Sequence, residues 1–427
     1  MRKSRLSLNE SLGRIGFFFL AATLFLMSFP RFISLYTMAG FLAAGLILLI
    51  LEGEGIKHHL RVDLYVLLPP LLYFLIQIVS LVLQQGDLAL IEKRLMFLLI
   101  PVFGIPLFRH PYLYERASIL FKFFVLGIAV ISLFLIFRMI FILFTTIPAG
   151  VTFSEYFIHN NNSIVSRSFS IWEHPSYLSM KVVFAFMLLY LFSGEWKVGE
   201  VLKWSIYLLF ALMIFMLASK AGIIACILLV LILLVRSARK RSIKPFYYFL
   251  IIPLLLTLTF IAVKKIERVS YFIVYTGRGL SQEDFEWKNL DQRTREWYSS
   301  LQLIKEKPLT GFGIVHTEEK LVQVYQENGF LEEAELRLNA HNQYLEAQMT
   351  FGIAGLVSLL WMLLTPLIFR RKLRLRELAF PFTVLMTFYL MFESMFNRQW
   401  GIMFFMLFYF LIVIPKKADD SSEKIST

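Results

Sequence analysis

The chain has 427 residues, 58% of them hydrophobic and 17% charged. A soluble domain carries roughly 45–50% apolar and about 25% charged residues, so lipid is the solvent this composition calls for. The formal charge of +13 does not signal nucleic acid, because the basic residues fall in short clusters between apolar runs, an orientation pattern of membrane proteins. A lone Cys226 excludes an internal disulfide, no Cys/His spacing suits zinc, and no cofactor or metal is expected.

A spanning helix needs about 20 mostly apolar residues. In chain order the candidate runs are 15–30, 32–51, 64–83, 88–108, 118–147, 175–193, 204–219, 221–235, 246–263, 345–369, 378–393 and 399–414. The first follows a basic start but no small-residue cleavage site, so it reads as a retained span. With the N-terminus in the cytoplasm, the inner loops hold Lys57, Arg61, Arg109, Arg116, Lys197, Lys203, the run Arg236–Lys244, the run Arg370–Arg376 and Lys416-Lys417. The short outer loops hold little beyond Arg31, Arg167, Lys220 and Arg398. That asymmetry predicts an all-α integral membrane protein with about twelve transmembrane helices and both ends inside. Helices 1–9 occupy 1–263, a large extracytoplasmic loop domain 264–340, helices 10–12 residues 341–414, and a polar cytoplasmic tail 415–427.

The large loop mixes charges with apolar residues at helical spacing. A helix is expected from Asp291, an N-cap, with Trp297, Leu301 and Ile304 as its stripe and Lys307-Pro308 as its end. Gly311-Phe-Gly313 reads as a turn, Glu318–Gln326 and Leu331–Leu338 as two further amphipathic stretches, and Asn328-Gly329 as the break between them. The loop is therefore a small helical cap.

Polar residues gather at the outer face. Lys220, in Ser219-Lys220-Ala-Gly222, is either a functional boundary charge or a lysine snorkelling to the headgroups. Arg293 and Trp297 share a helix face in Arg293-Thr-Arg295-Glu-Trp297, which is either a solvated face or a basic pair for a lipid diphosphate. His341-Asn342-Gln-Tyr344-Leu-Glu346 opens the tenth span, where an imidazole titrates near neutral pH and serves as a base, or forms part of an interfacial polar cap. Trp172-Glu-His174-Pro175 opens the sixth span, with Pro175 suited to a first helical turn. Glu393 with Asn397-Arg398 lies between the last two spans.

Several motifs occur in order over the second half of the chain. They are Ser219-Lys220-Ala-Gly222, Arg293-Thr-Arg-Glu-Trp297, Pro308-Leu-Thr-Gly311-Phe-Gly313, His341-Asn342-Gln-Tyr344-Leu-Glu346 and Gly352-Ile-Ala-Gly355. Together they resemble the O-antigen ligase and polymerase superfamily of bacterial membrane glycosyltransferases, most closely its ligase branch. The resemblance implies a GT-C-like fold and a metal-independent, inverting transfer. The glycan passes from undecaprenyl diphosphate to an acceptor sugar, lipid A–core in the ligase branch, at the outer face of the inner membrane. The implied roles are diphosphate binding for Lys220 and Arg293, with Arg295 and Arg398 as helpers, and base catalysis for His341. Asn342, Tyr344, Glu346, Trp297, His174 and Glu393 support them. Lys220 departs from the family's usual arginine and loses the planar fork. Polymerases and protein O-glycosyltransferases of the superfamily share the donor and differ in acceptor; the short tail disfavours the protein transferases. A twelve-helix secondary transporter is the rival of another class, and it predicts symmetric halves with a midplane site.

Overall fold

The computed structural model describes residues 2–52, 64–146, 169–239 and 291–415. Among the described residues the protein is helical, with one isolated bridge, Leu373 to Pro415, and no strand. The expected ninth span (246–263), the polar stretch 147–168, the first part of the large loop and the tail lie outside the described residues.

The helices in chain order are α1 Arg2–Phe25, α2 Arg31–Glu52, α3 Leu64–Leu83, α4 Ala89–Glu92, α5 Met96–Leu99, α6 Ile105–Arg109, α7 Pro111–Glu115, α8 Ala117–Thr146, α9 Pro175–Phe192, α10 Glu200–Leu217 and α11 Lys220–Arg239. They continue with α12 Gln292–Glu306, α13 Gly313–Glu327, α14 Leu331–Glu335, α15 Gln343–Ile368, α16 Arg376–Leu390 and α17 Gln399–Val413. Among the described residues, six helical stretches are long and apolar enough to cross a membrane: Phe32–Leu51, Leu64–Leu83, Ala117–Ile142, Pro175–Phe192, Glu200–Leu217 and Gln343–Ile368. Of the other expected spans, the ninth lies outside the described residues, and others are short or interrupted. α16 and α17 have 15 residues each. The fourth expected span, 88–108, is broken into α4, α5, a π-helical turn Ile100–Gly104 and α6. Pro101 and Pro106 each remove a backbone donor from that stretch, which interrupts the i to i−4 ladder.

The chain forms two compact units, residues 1–48 with 110–262, and 49–109 with 263–427. In the first, α9 is the central helix, packed against α8, α10 and α11, and α1 lies along α8. His174 caps α9, its Nδ1 accepting from Ser176 N at 3.3 Å, with Pro175 at the first helical position. Lys181, within α9, is fully enclosed, and its Nζ reaches Glu173 Oε2 at 2.7 Å and the Met27 carbonyl at 2.9 Å. A buried lysine persists in apolar surroundings only with such a partner, since either charge left alone is costly. α10 ends at Ala218, whose φ of 46° is left-handed, and Ser219 Oγ accepts from Gly222 N at 3.1 Å to open α11. The chain therefore turns at Ala218-Ser219, and Lys220 is the first residue of α11.

In the second unit α15 is central, packed on α3, α16, α12 and α13. It is broken at Gly352, whose φ of 62° no helix allows. The turn before α13 fills the break: Ile353 N donates to Leu309 O at 3.2 Å and Phe312 N to Met349 O at 2.9 Å. The fit requires glycine on both sides. A Cβ at Gly352 would overlap the Leu309 carbonyl, and one at Gly311 (φ 65°) would come within 2.6 Å of the Thr350 carbonyl. The first N–H groups of α13 are capped by α3, Ile314 N on Ser80 Oγ at 3.0 Å and Val315 N on Gln84 Oε1 at 3.0 Å.

The described part of the loop, 291–340, holds three helices near the expected positions. Helices α12, α13 and α14 fall within a few residues of the expected bounds, α13 starting earlier, at Gly313. Asp291 precedes α12, although its side chain makes no capping bond. Leu303, Ile304, Phe312, Leu321, Tyr325 and Phe330 form a core that also takes in Ala340 and Met349. Burying each such large side chain contributes about 1.5–3 kcal/mol, enough to seat the cap firmly on the first turns of α15.

Candidate functional site

The site lies in the second unit, where α12, the junction 339–342, the start of α15 and the turn between α16 and α17 converge. His341 is placed by its backbone first. Its φ is 42°, a left-handed conformation that costs a non-glycine residue about 1–3 kcal/mol. Asn339 Oδ1 accepts from His341 N at 2.8 Å and holds it there. Asn342 then caps α15, its Oδ1 accepting from Tyr344 N at 3.0 Å and Leu345 N at 3.2 Å.

The imidazole meets Glu296 of α12, Nδ1 to Oε2, at 2.9 Å. The Glu296 side chain is wholly buried and His341 is 23% exposed. Burial pushes the Glu296 carboxyl up to about 8, with Arg293 pulling it back and Glu333, Glu393 and Asp291 adding to the rise. With Nδ1–H donating to an ionised Glu296, Nε2 keeps its lone pair for a proton from a third group.

Arg293 stands one turn before Glu296. Its Nη1 is 3.7 Å from Glu296 Oε2, and its Nη2 donates to Glu393 Oε1 at 3.3 Å. Arg293 Nη1, Glu296 Oε1 and Trp297 Nε1 are buried without a hydrogen-bond partner. Three unsatisfied polar atoms on consecutive turns of one helix mark a place where a ligand's polar groups fit. Trp297 packs near Phe392, ring centroids 6.1 Å apart.

The turn after α16 completes the site. Gln343 Oε1 accepts from Phe396 N at 2.7 Å, and Tyr344 OH donates to the Thr387 carbonyl at 3.0 Å. Glu346 Oε2 accepts from Ala340 N at 3.3 Å, just before His341. Asn397 Oδ1 accepts from Arg94 Nη2, from between α4 and α5, at 3.1 Å.

His341, Arg293, Trp297, Asn342, Tyr344, Glu346 and Glu393 are thus brought together. Arg295 is not: its guanidinium is tied to buried Glu333 at 2.5–2.6 Å, which fixes α12 to α14. Arg398 is exposed at the start of α17, and among the described residues no ion pair reaches it. Lys220 and His174 belong to the first unit; Lys220 is half-buried at the first turn of α11, and His174 acts as the α9 cap. Sequence reasoning gave no role to Glu296 or Arg94. Glu296 had a signal, its i, i+3 spacing from Arg293. Arg94 also had one, the cluster Glu92-Lys93-Arg94 interrupting an apolar run. Among the described residues no three His, Cys, Asp or Glu side chains converge as a metal site.

Residues 205–360 match the family model described as O-Antigen ligase. The match covers Lys220, Arg293, Glu296 and His341, supports the O-antigen ligase and polymerase superfamily, and with the apolar helices supports a multi-pass membrane glycosyltransferase of that type. No curated protein matches the chain.

Proposed function

We propose that the protein transfers an O-antigen-type glycan from undecaprenyl diphosphate to an acceptor sugar, lipid A–core, at the periplasmic face of the inner membrane, with inversion and without a metal. The observation that carries this reading is the His341–Glu296 pair beside Arg293, inside the segment that matches the ligase family. Transfer from a diphosphate needs charge on the leaving group stabilised and a proton taken from the attacking hydroxyl. Arg293 serves the first need, with Arg398 of the same unit as its helper. His341 Nε2 serves the second, while Glu296 orients the ring through Nδ1. Attack by the hydroxyl on the anomeric carbon breaks its bond to the diphosphate oxygen, so the configuration inverts.

Arg295 is reassigned to holding α12 against α14, since Glu333 occupies its guanidinium. The test is complementation of a ligase-deficient Gram-negative strain, scored by glycan on lipid A–core. Wild type restores ligation; His341→Ala and Arg293→Ala insert normally and do not. Chelation by EDTA leaves the purified enzyme's rate unchanged. Products in which repeat units lengthen on the carrier, without glycan on lipid A–core, would reassign the protein to the polymerase branch.

A further inference from the structure

We propose that Arg94 is a second cation for the donor's diphosphate, completing the anion-binding face that Arg293 begins; this rests on the transferase reading above. Arg94 lies in the broken fourth span, outside the segment that matches the ligase family. It is half-buried, and its side-chain hydrogen bond goes to a neutral amide, Asn397 Oδ1, at 3.1 Å. Its guanidinium stands 5.9 Å from the centre of the Phe351 ring. Glu346 is near enough to act on it through space, yet no carboxylate forms an ion pair with it among the described residues. Arg293 and Arg295 differ, since each reaches a glutamate within 4 Å.

Glu346 faces Arg94 without a direct ion pair, so the guanidinium, drawn partly away from water, keeps room for a directly bound anionic ligand. The turn 393–398 says which ligand. Glu393 holds Arg293 and Asn397 holds Arg94, so one short turn carries both guanidinium groups. Four residues of chain span at most about 14 Å, and the 3₁₀ turn Met395–Asn397 shortens that further. Two planar forks held by one short turn suit two linked phosphates better than a lone carboxylate. Arg94 keeps donors beyond the one given to Asn397, because a guanidinium has five.

The test uses full-length protein in nanodiscs, with initial rates measured against the concentrations of undecaprenyl-diphosphate glycan and of acceptor separately. Arg94→Gln should raise the donor KM about 10–100-fold, the loss of a charge-assisted hydrogen bond. The acceptor KM should stay unchanged, and inhibition by inorganic pyrophosphate should weaken by the same factor. Arg94→Lys should show a smaller rise, and it carries the test if the glutamine variant does not accumulate. A donor KM and pyrophosphate inhibition equal to wild type in these variants would overturn the assignment to Arg94 alone. A wild-type protein that transfers no glycan would instead overturn the transferase reading.

Discussion

At the scale of single residues, the site is a buried carboxyl holding an imidazole in a strained backbone position. His341 stays at φ 42° because Asn339 and Glu296 hold its backbone and ring. Proton uptake by Nε2 needs Glu296 ionised, and its carboxyl sits at about 8. The transfer rate should therefore rise with pH up to about 8 and level off above it. Glu296→Gln should lower kcat about a hundredfold or more and remove that rise, as measured in a pH–rate profile. Stability carries the opposite sign. The folded chain keeps the Glu296 proton up to about 8 while the unfolded chain releases it near 4.5. This group's favourable linkage is therefore complete below about pH 4.5 and lost as pH rises through 8. The thermal stability of the wild type should therefore fall over that window relative to the glutamine variant, read as a lower Tm. Sequence alone placed Arg293, His341 and Glu393 as separate outer-face signals. It could not show that Glu296 turns inward, because burial depends on which face of α12 meets the junction.

At the scale of elements, the loop domain is fastened by a turn lodged in a broken helix. Gly352→Ala should clash with the Leu309 carbonyl and force a left-handed alanine, a loss of about 2–4 kcal/mol. The readout is a lower Tm in detergent and faster proteolysis within 291–340. A Tm equal to wild type would mean that the turn does not hold the break. The three loop helices were legible because Pro308, the Gly311-Phe-Gly313 turn and Asn328-Gly329 punctuate them locally. The docking of that turn on α15 was not, since it joins positions some 40 residues apart in chain that no local pattern connects. Hydropathy marked the fourth span as one apolar run; the charged cluster Glu92-Lys93-Arg94 held the contrary signal, the chain turning at 93–95 and then running helical from Met96 to Arg109 with a π-turn at Pro101. Lys181 was hidden for a similar reason, its partner Met27 being far away in sequence.

At the scale of the whole molecule, α15 separates two chemistries within its unit. His341 and Glu346 stand at one end, and Arg370, Arg371, Lys372, Arg374 and Arg376 follow the other, where Lys372 reaches over Tyr65. The positive-inside rule puts that basic end in the cytoplasm. A cysteine at 332, exposed on the loop domain, should be labelled by an impermeant maleimide in intact spheroplasts, and one at 372 only after lysis; the reverse pattern would invert the topology. Composition and charge alternation made the membrane class readable from sequence, because lipid imposes them on every span. The two-unit division was not readable, since it groups stretches that alternate along the chain.

The most direct measurement is single-turnover transfer by purified full-length protein, from undecaprenyl-diphosphate-linked glycan to lipid A–core, with the product's anomeric configuration assigned by NMR. The account predicts an inverted linkage, formed by wild type and lost in His341→Ala despite normal folding. Retained configuration, or undiminished transfer by the alanine variant, would contradict it.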